Sequence, residues 1–139
     1  MGTEQSLQRF ISAQANDYET ALKEIKSGRK RSHWMWFIFP QIDGLGFSSM
    51  AQRYAIKDLN EAIQYLKHPM LGSRLVEISK ALLGLPGNNA TTIMGSPDDL
   101  KLHSSMTLFS LVPDADPVFD AVLKKFFNGQ KDNGTLRLI

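Results

Sequence analysis

The sequence contains no cysteine. Disulfides and thiolate-bound metals are therefore excluded, and a cytoplasmic location is compatible with that lack. Long apolar runs are missing too. The longest, Trp34 to Pro40, falls far short of the roughly 20 residues a membrane-spanning helix needs. No charge of one sign dominates: 16 basic and 14 acidic residues leave a net charge of +2. A balance that even does not by itself indicate a nucleic-acid partner. Residues Met1 to Ile11 are polar and lack an apolar core, so no secretory signal is expected. Neither HExxH, GxSxG, Walker A nor a dinucleotide-binding glycine pattern is present. His33, His68 and His103 do not have metal-ligand spacing. No metal is expected, and no motif identifies a cofactor.

What is present is a core-forming chain. With 139 residues, 42% of them apolar, residues 1–139 form one domain able to bury roughly two thirds of its unfolded surface. The apolar spacing is helical almost throughout. Leu7, Phe10 and Ile11 make one stripe, and Tyr18, Ala21, Leu22 and Ile25 another. Asn16 with Glu19 resembles a capping box between them, and Gly28 suits the end of the second. Ser48, Asp58 with Glu61, and Asn89 are further helix-start signals, as are Ser96-Pro97-Asp98-Asp99 and Asp116-Pro117. His68-Pro69 breaks a helix, where His68 is placed to interact with the last carbonyls. Asp43-Gly44-Leu45-Gly46 and Lys131 to Gly134 read as turns, and Thr135 to Ile139 as a short apolar tail. The pattern predicts an all-α fold of roughly six to eight helices in a single compact domain.

Charge and aromatics meet at one place. Lys23, Lys26, Arg29, Lys30 and Arg31 form a basic cluster interrupted by Glu24. It runs into Trp34-Met35-Trp36-Phe37-Ile38-Phe39-Pro40, which holds two tryptophans and two phenylalanines. The run is expected to be a central core helix, with one tryptophan edge left to line a pocket. If Ser32 caps that helix, its N-terminus and the neighbouring cations would favour an anion. Arg29, Arg31 and Ser32 would then hold the anion, His33 and Gln41 would add polar contacts, and Trp34 or Trp36 a stacking wall.

A second constellation lies downstream. Lys101, Ser104 and Ser105 share helical spacing. A lysine beside a serine can serve as base and nucleophile, although serines inside helices commonly bond back to carbonyls. If there is chemistry, His33 and Lys101 are the candidate catalytic residues for proton transfer.

Taken together, Gly28 to Gln41, Gly44-Leu45-Gly46, Tyr65-Leu66-Lys67-His68-Pro69, Leu71-Gly72-Ser73-Arg74-Leu75 and Lys101 with Ser104 to Phe109 resemble a bacterial domain-of-unknown-function family of small all-α proteins, sometimes labelled calpastatin. The resemblance runs from Leu7 to the Thr135-Leu136 tail. It implies the small all-α fold of a mycobacterial member and no established activity or cofactor. Protease inhibition does not carry over, because calpastatin is a disordered polar protein whereas this chain has core-forming stripes. Where His103 stands the family pattern often has arginine, which weakens any required role for His103. The function expected is binding of a small anionic ligand, such as a nucleotide or sugar phosphate. The alternative is a non-catalytic interaction module whose basic cluster meets an acidic protein or nucleic acid. No membrane association is expected.

Overall fold

A computed structural model describes residues 3–139, with side chains from Ser6 onward. The two helices expected before Gly28 are one, α1 (Thr3–Lys26). Leu7, Phe10, Gln14, Tyr18, Ala21 and Ile25 follow one another at helical spacing and are all buried. A cap at Asn16 would contribute only about 1 kcal/mol. Each large side chain on the continuous stripe contributes about 1.5–3 kcal/mol on burial, so the helix runs through. Gly28 then ends it, in the left-handed region at φ +88°. Its N–H reaches the Ile25 carbonyl at 2.9 Å, and the Arg29 N–H reaches that of Glu24 at 3.1 Å.

The elements that follow are α2 (Met35–Ile38), α3 (Ser49–Arg53), α4 (Leu59–Lys67), α5 (Pro69–Leu83), α6 (Ala90–Met94), α7 (Asp98–Ser110), α8 (Val118–Phe127) and α9 (Asn133–Leu138). Nine helices are thus present among the described residues, slightly more than expected, and the fold is all-α. Here α9 replaces the apolar tail: Asp132 accepts from the Thr135 N–H at 3.0 Å and starts it. Three local signals hold as expected. Ser48 caps α3, Asp58 caps α4 and Asn89 caps α6. His68 meets the last carbonyls of α4 as expected: its N–H reaches those of Gln64 at 3.0 Å and Tyr65 at 3.2 Å. Its Nδ1 also accepts from the Met70 and Leu71 N–H groups, each at 3.2 Å, so the same residue caps the start of α5. Ser96 makes no cap, and the residue preceding α7 is Pro97.

The buried aromatics tie the helices together. Phe10 of α1 meets Tyr65 of α4 edge-on at 5.1 Å, Tyr65 meets Phe109 of α7 at 5.3 Å, and Phe109 meets Phe119 of α8 at 5.9 Å. The central helix is α7, which packs against α4, α6, α8 and α9. Six consecutive residues, Ser104 to Phe109, are buried in it. The aromatic run was expected to have that place. It is indeed mostly buried, but only Met35–Ile38 is helical. The segments that position the site are the loop after the run and α9. The loop is anchored where the Ile56 N–H reaches the Gln41 carbonyl and the Asp43 N–H the Ile56 carbonyl, both at 2.8 Å. Among the described residues no helix is long and apolar enough to cross a membrane.

Candidate functional site

The basic doorway to the aromatic run already holds an anion, and the chain supplies it. Glu24, in the last turn of α1, points its carboxylate into the Arg31–Trp34 segment. Glu24 Oε1 accepts from the Arg31 N–H at 2.8 Å, the Ser32 N–H at 2.9 Å and Trp34 Nε1–H at 2.9 Å. Ser32 Oγ–H donates to Oε2 at 2.6 Å. Burial works against ionisation, but the Ser32 hydroxyl, the two backbone N–H groups and the indole outweigh it. They pull the carboxyl from an ordinary 4.5 down to about 2. Ser32 therefore does not cap the aromatic helix. The residue before α2 is Trp34, with no side-chain cap, and four residues make no helix terminus of consequence.

The remaining doorway residues separate. Trp34 is buried at 1% exposure, so it offers no stacking face. Arg29, Arg31 and His33 are exposed. Lys30 turns inward instead: its side chain is 8% exposed, 2.9 Å from Asp98 and over the Trp34 ring at 4.9 Å. Asp98 also meets Lys101 at 3.4 Å, and Lys101 lies over the half-buried Trp36 ring at 5.1 Å. One carboxylate at the start of α7 thus ties together a lysine over each tryptophan. Asp98 does more than open α7.

The predicted residues that do meet are Gln41, Lys101 and Ser104. They line an open cleft of about 740 Å³ between the 41–51 segment, the first turns of α7 and the start of α9. The same walls carry Lys131, Arg137, His103 and Asp132, and the exposed Phe47 and Leu100. His33, Trp34, Trp36 and Ser105 do not line it. His33 and Lys101 are therefore not brought together in this cleft. Ser105 is fully buried, and its hydroxyl has no hydrogen-bond partner.

The cleft's polar groups are held in place from behind. His103 is not on a bland exposed face. Its ring stacks on Phe127 with centroids 4.3 Å apart and planes 7° off parallel, and its Nε2 donates to the Gln130 carbonyl at 2.8 Å. Ser104 Oγ lies 3.1 Å from both the Leu100 carbonyl and Asp132 Oδ2. Its proton is committed to acceptors, so the lysine–serine pairing lacks an activated nucleophile. Asp132 also accepts from Thr135 Oγ1 at 2.7 Å. Burial opposes its ionisation, yet the Thr135 hydroxyl and N–H, Ser104 and nearby His103 hold it below the usual carboxylate range. The carboxylate caps α9 and stays ionised, while Lys101, Lys131 and Arg137 place three cations on the walls, Lys101 also paired with Asp98 at 3.4 Å and Lys131 with Asp120 at 3.8 Å. Sequence reasoning missed Arg137, Lys131 and Phe47. The signal for the first two was Asp132 three residues before Thr135, the spacing of a helix cap.

A second, more apolar groove of about 920 Å³ lies between α4, α5 and the segment before α8. Ile63, Leu66, Val76, Val112 and Phe119 contribute to it, and none of the predicted site residues does.

Comparison with curated proteins finds no match. Among solved structures the chain is similar to the conserved hypothetical protein Rv1873 from Mycobacterium tuberculosis. The two are 48% identical and superpose with a TM-score of 0.93, over 96% of this chain and 95% of that one. At this identity and coverage the all-α fold is shared over nearly the whole of both chains. The family model described as "Protein of unknown function (DUF1810)" matches residues 4–139, and the chain belongs to that family.

Proposed function

We propose that this protein binds a small anionic ligand, of the nucleotide or sugar-phosphate class, in the cleft between the 41–51 segment, α7 and α9. The observation that carries this reading is the composition of the cleft. Lys101 on α7, Lys131 in the turn before α9 and Arg137 on α9 reach one concave surface, with Gln41, Ser104 and His103 beside them. Its carboxylate, Asp132, is turned to the α9 cap. Cations converging from separate segments raise the local potential for an anion more than a run along one loop does. The volume lies within the range of roughly 300–1,000 Å³ usual for small-molecule sites. Arg29 and Arg31 fit this role less well, because the anion-accepting N–H groups beside them are taken by Glu24.

Thermal denaturation against a panel of nucleotides and sugar phosphates tests the proposal. A ligand at 100 times its dissociation constant stabilises the fold by about 2.7 kcal/mol. The shift should vanish in the Lys101→Ala, Arg137→Ala double variant. An equal shift in wild type and variant would remove the cleft from consideration. A response that disappears steeply with salt, seen with nucleic acid and with no small ligand, would favour the interaction-module reading.

A further inference from the structure

We infer that the ligand of this cleft carries a nucleobase, making it a nucleoside phosphate rather than a bare sugar phosphate, and that Phe47 is the stacking platform for the base. This rests on the reading of the cleft as an anion site. Phe47 is 83% exposed and Leu100 62%, the two most exposed large apolar side chains among the described residues, and both line the cleft. An aromatic ring left in water forfeits the free energy its burial would release. Two such side chains at the mouth of one cationic cleft call for a shared reason.

The loop that carries Phe47 is fastened on both sides. A Cβ at Gly46 would stand 2.5 Å from the Ala51 Cβ, so the backbone presses directly on α3. A Cβ at Gly44 would stand 3.2 Å from the Leu138 side chain, and one at Gly134 3.2 Å from that of Leu45, so the loop is also pressed onto α9. Gln52 Nε2 donates to the Phe47 carbonyl at 3.1 Å, and Ser48 immediately afterwards caps α3. The backbone is held, and the ring stands in solvent.

A flat apolar ring carried on a held backbone at one lip, with Lys101, Lys131 and Arg137 along the walls, matches a ligand that is flat at one end and anionic at the other. Every nucleobase offers a π face to such a ring, whatever its hydrogen-bonding edge. Gln41, Asn133 and His103 stand among the lining residues to meet ribose hydroxyls or a base edge. A sugar phosphate would leave Phe47 and Leu100 as wet as they are without it.

Titration calorimetry with AMP and with ribose 5-phosphate separates the two classes. In the wild-type protein AMP should bind on the order of tenfold more tightly than ribose 5-phosphate. Phe47→Ala should remove that advantage while leaving ribose 5-phosphate within about twofold, and Phe47→Tyr should restore it. Ribose 5-phosphate binding as tightly as AMP, or AMP unaffected by Phe47→Ala, would overturn the nucleobase inference and leave the anion site standing. Self-association lost in Phe47→Ala with AMP affinity unchanged would also overturn it, assigning the ring to a contact between copies. Failure of both compounds to bind the wild type would overturn the anion site itself.

Discussion

Four donors converge on the single carboxylate of Glu24, and their geometry turns a surface-looking acid into a structural anchor. Glu24→Ala leaves two backbone N–H groups and an indole N–H without their acceptor. Hydrogen bonds to a charged group contribute about 1.5–3 kcal/mol each, and less at a half-buried group such as Glu24, where solvent screens them. The variant should lose roughly 2–4 kcal/mol of unfolding free energy, read from the urea midpoint at neutral pH. The acid response has a definite sign. The folded-state carboxyl sits near 2 against an ordinary 4.5, so its contribution is full above about 4.5 and is lost as pH falls toward 2. Glu24→Gln should therefore flatten part of the wild type's loss of stability across that window. Ser105 is the opposite case, a buried hydroxyl with no partner. Ser105→Ala should be neutral or stabilising by up to about 1 kcal/mol, because an unmet hydroxyl carries a desolvation penalty. The sequence shows Glu24 only as a gap in a basic run. Its role depends on Gly28 folding the chain back, so that residues 31 to 34 come within reach of α1.

At the scale of the element, the legible features were those decided within a few residues. The caps at Ser48, Asp58 and Asn89 need only a side-chain oxygen and an N–H about three residues ahead. Features decided by packing were not legible. α1 overrides its internal capping signal because its buried stripe is unbroken. α2 starts only at Met35, because the entry to the run is tied to Glu24 and not to a cap of its own, and it stops before Pro40, whose preceding residue avoids the α region. The α4–α5 elbow depends on a contact no local rule foresees: a Cβ at Gly72 would stand 2.1 Å from the Leu66 carbonyl oxygen. Backbone cannot yield there as a side chain could. Gly72→Ala should cost about 3 kcal/mol, seen as a lowered melting temperature. Gly46→Ala meets the Ala51 Cβ at 2.5 Å and should shift the Phe47 loop. Its expected signature is weakened AMP binding out of proportion to a loss of stability of about 1–3 kcal/mol.

For the molecule as a whole, the all-α architecture followed from periodicity, and the aromatic line from Phe10 through Tyr65 and Phe109 to Phe119 shows what unites it. The site was only half legible. Lys101 and Ser104 could be placed on one helix by spacing, and Gln41 by its position after the aromatic run. That these three meet, and that Arg137 joins them, depends on α9 folding back over α7, where the Asp132 N–H reaches Thr107 Oγ1 at 2.9 Å. The basic doorway drew attention because its charges are adjacent in sequence. The cleft did not, because its charges converge from distant segments. The most direct measurement sets these two places against each other: AMP affinity, by calorimetry, in Arg29→Ala with Arg31→Ala and in Lys101→Ala with Arg137→Ala. The cleft pair should lose on the order of tenfold or more, with the doorway pair within about twofold of wild type. Loss confined to the doorway pair would contradict the account and return the site to the start of the aromatic run.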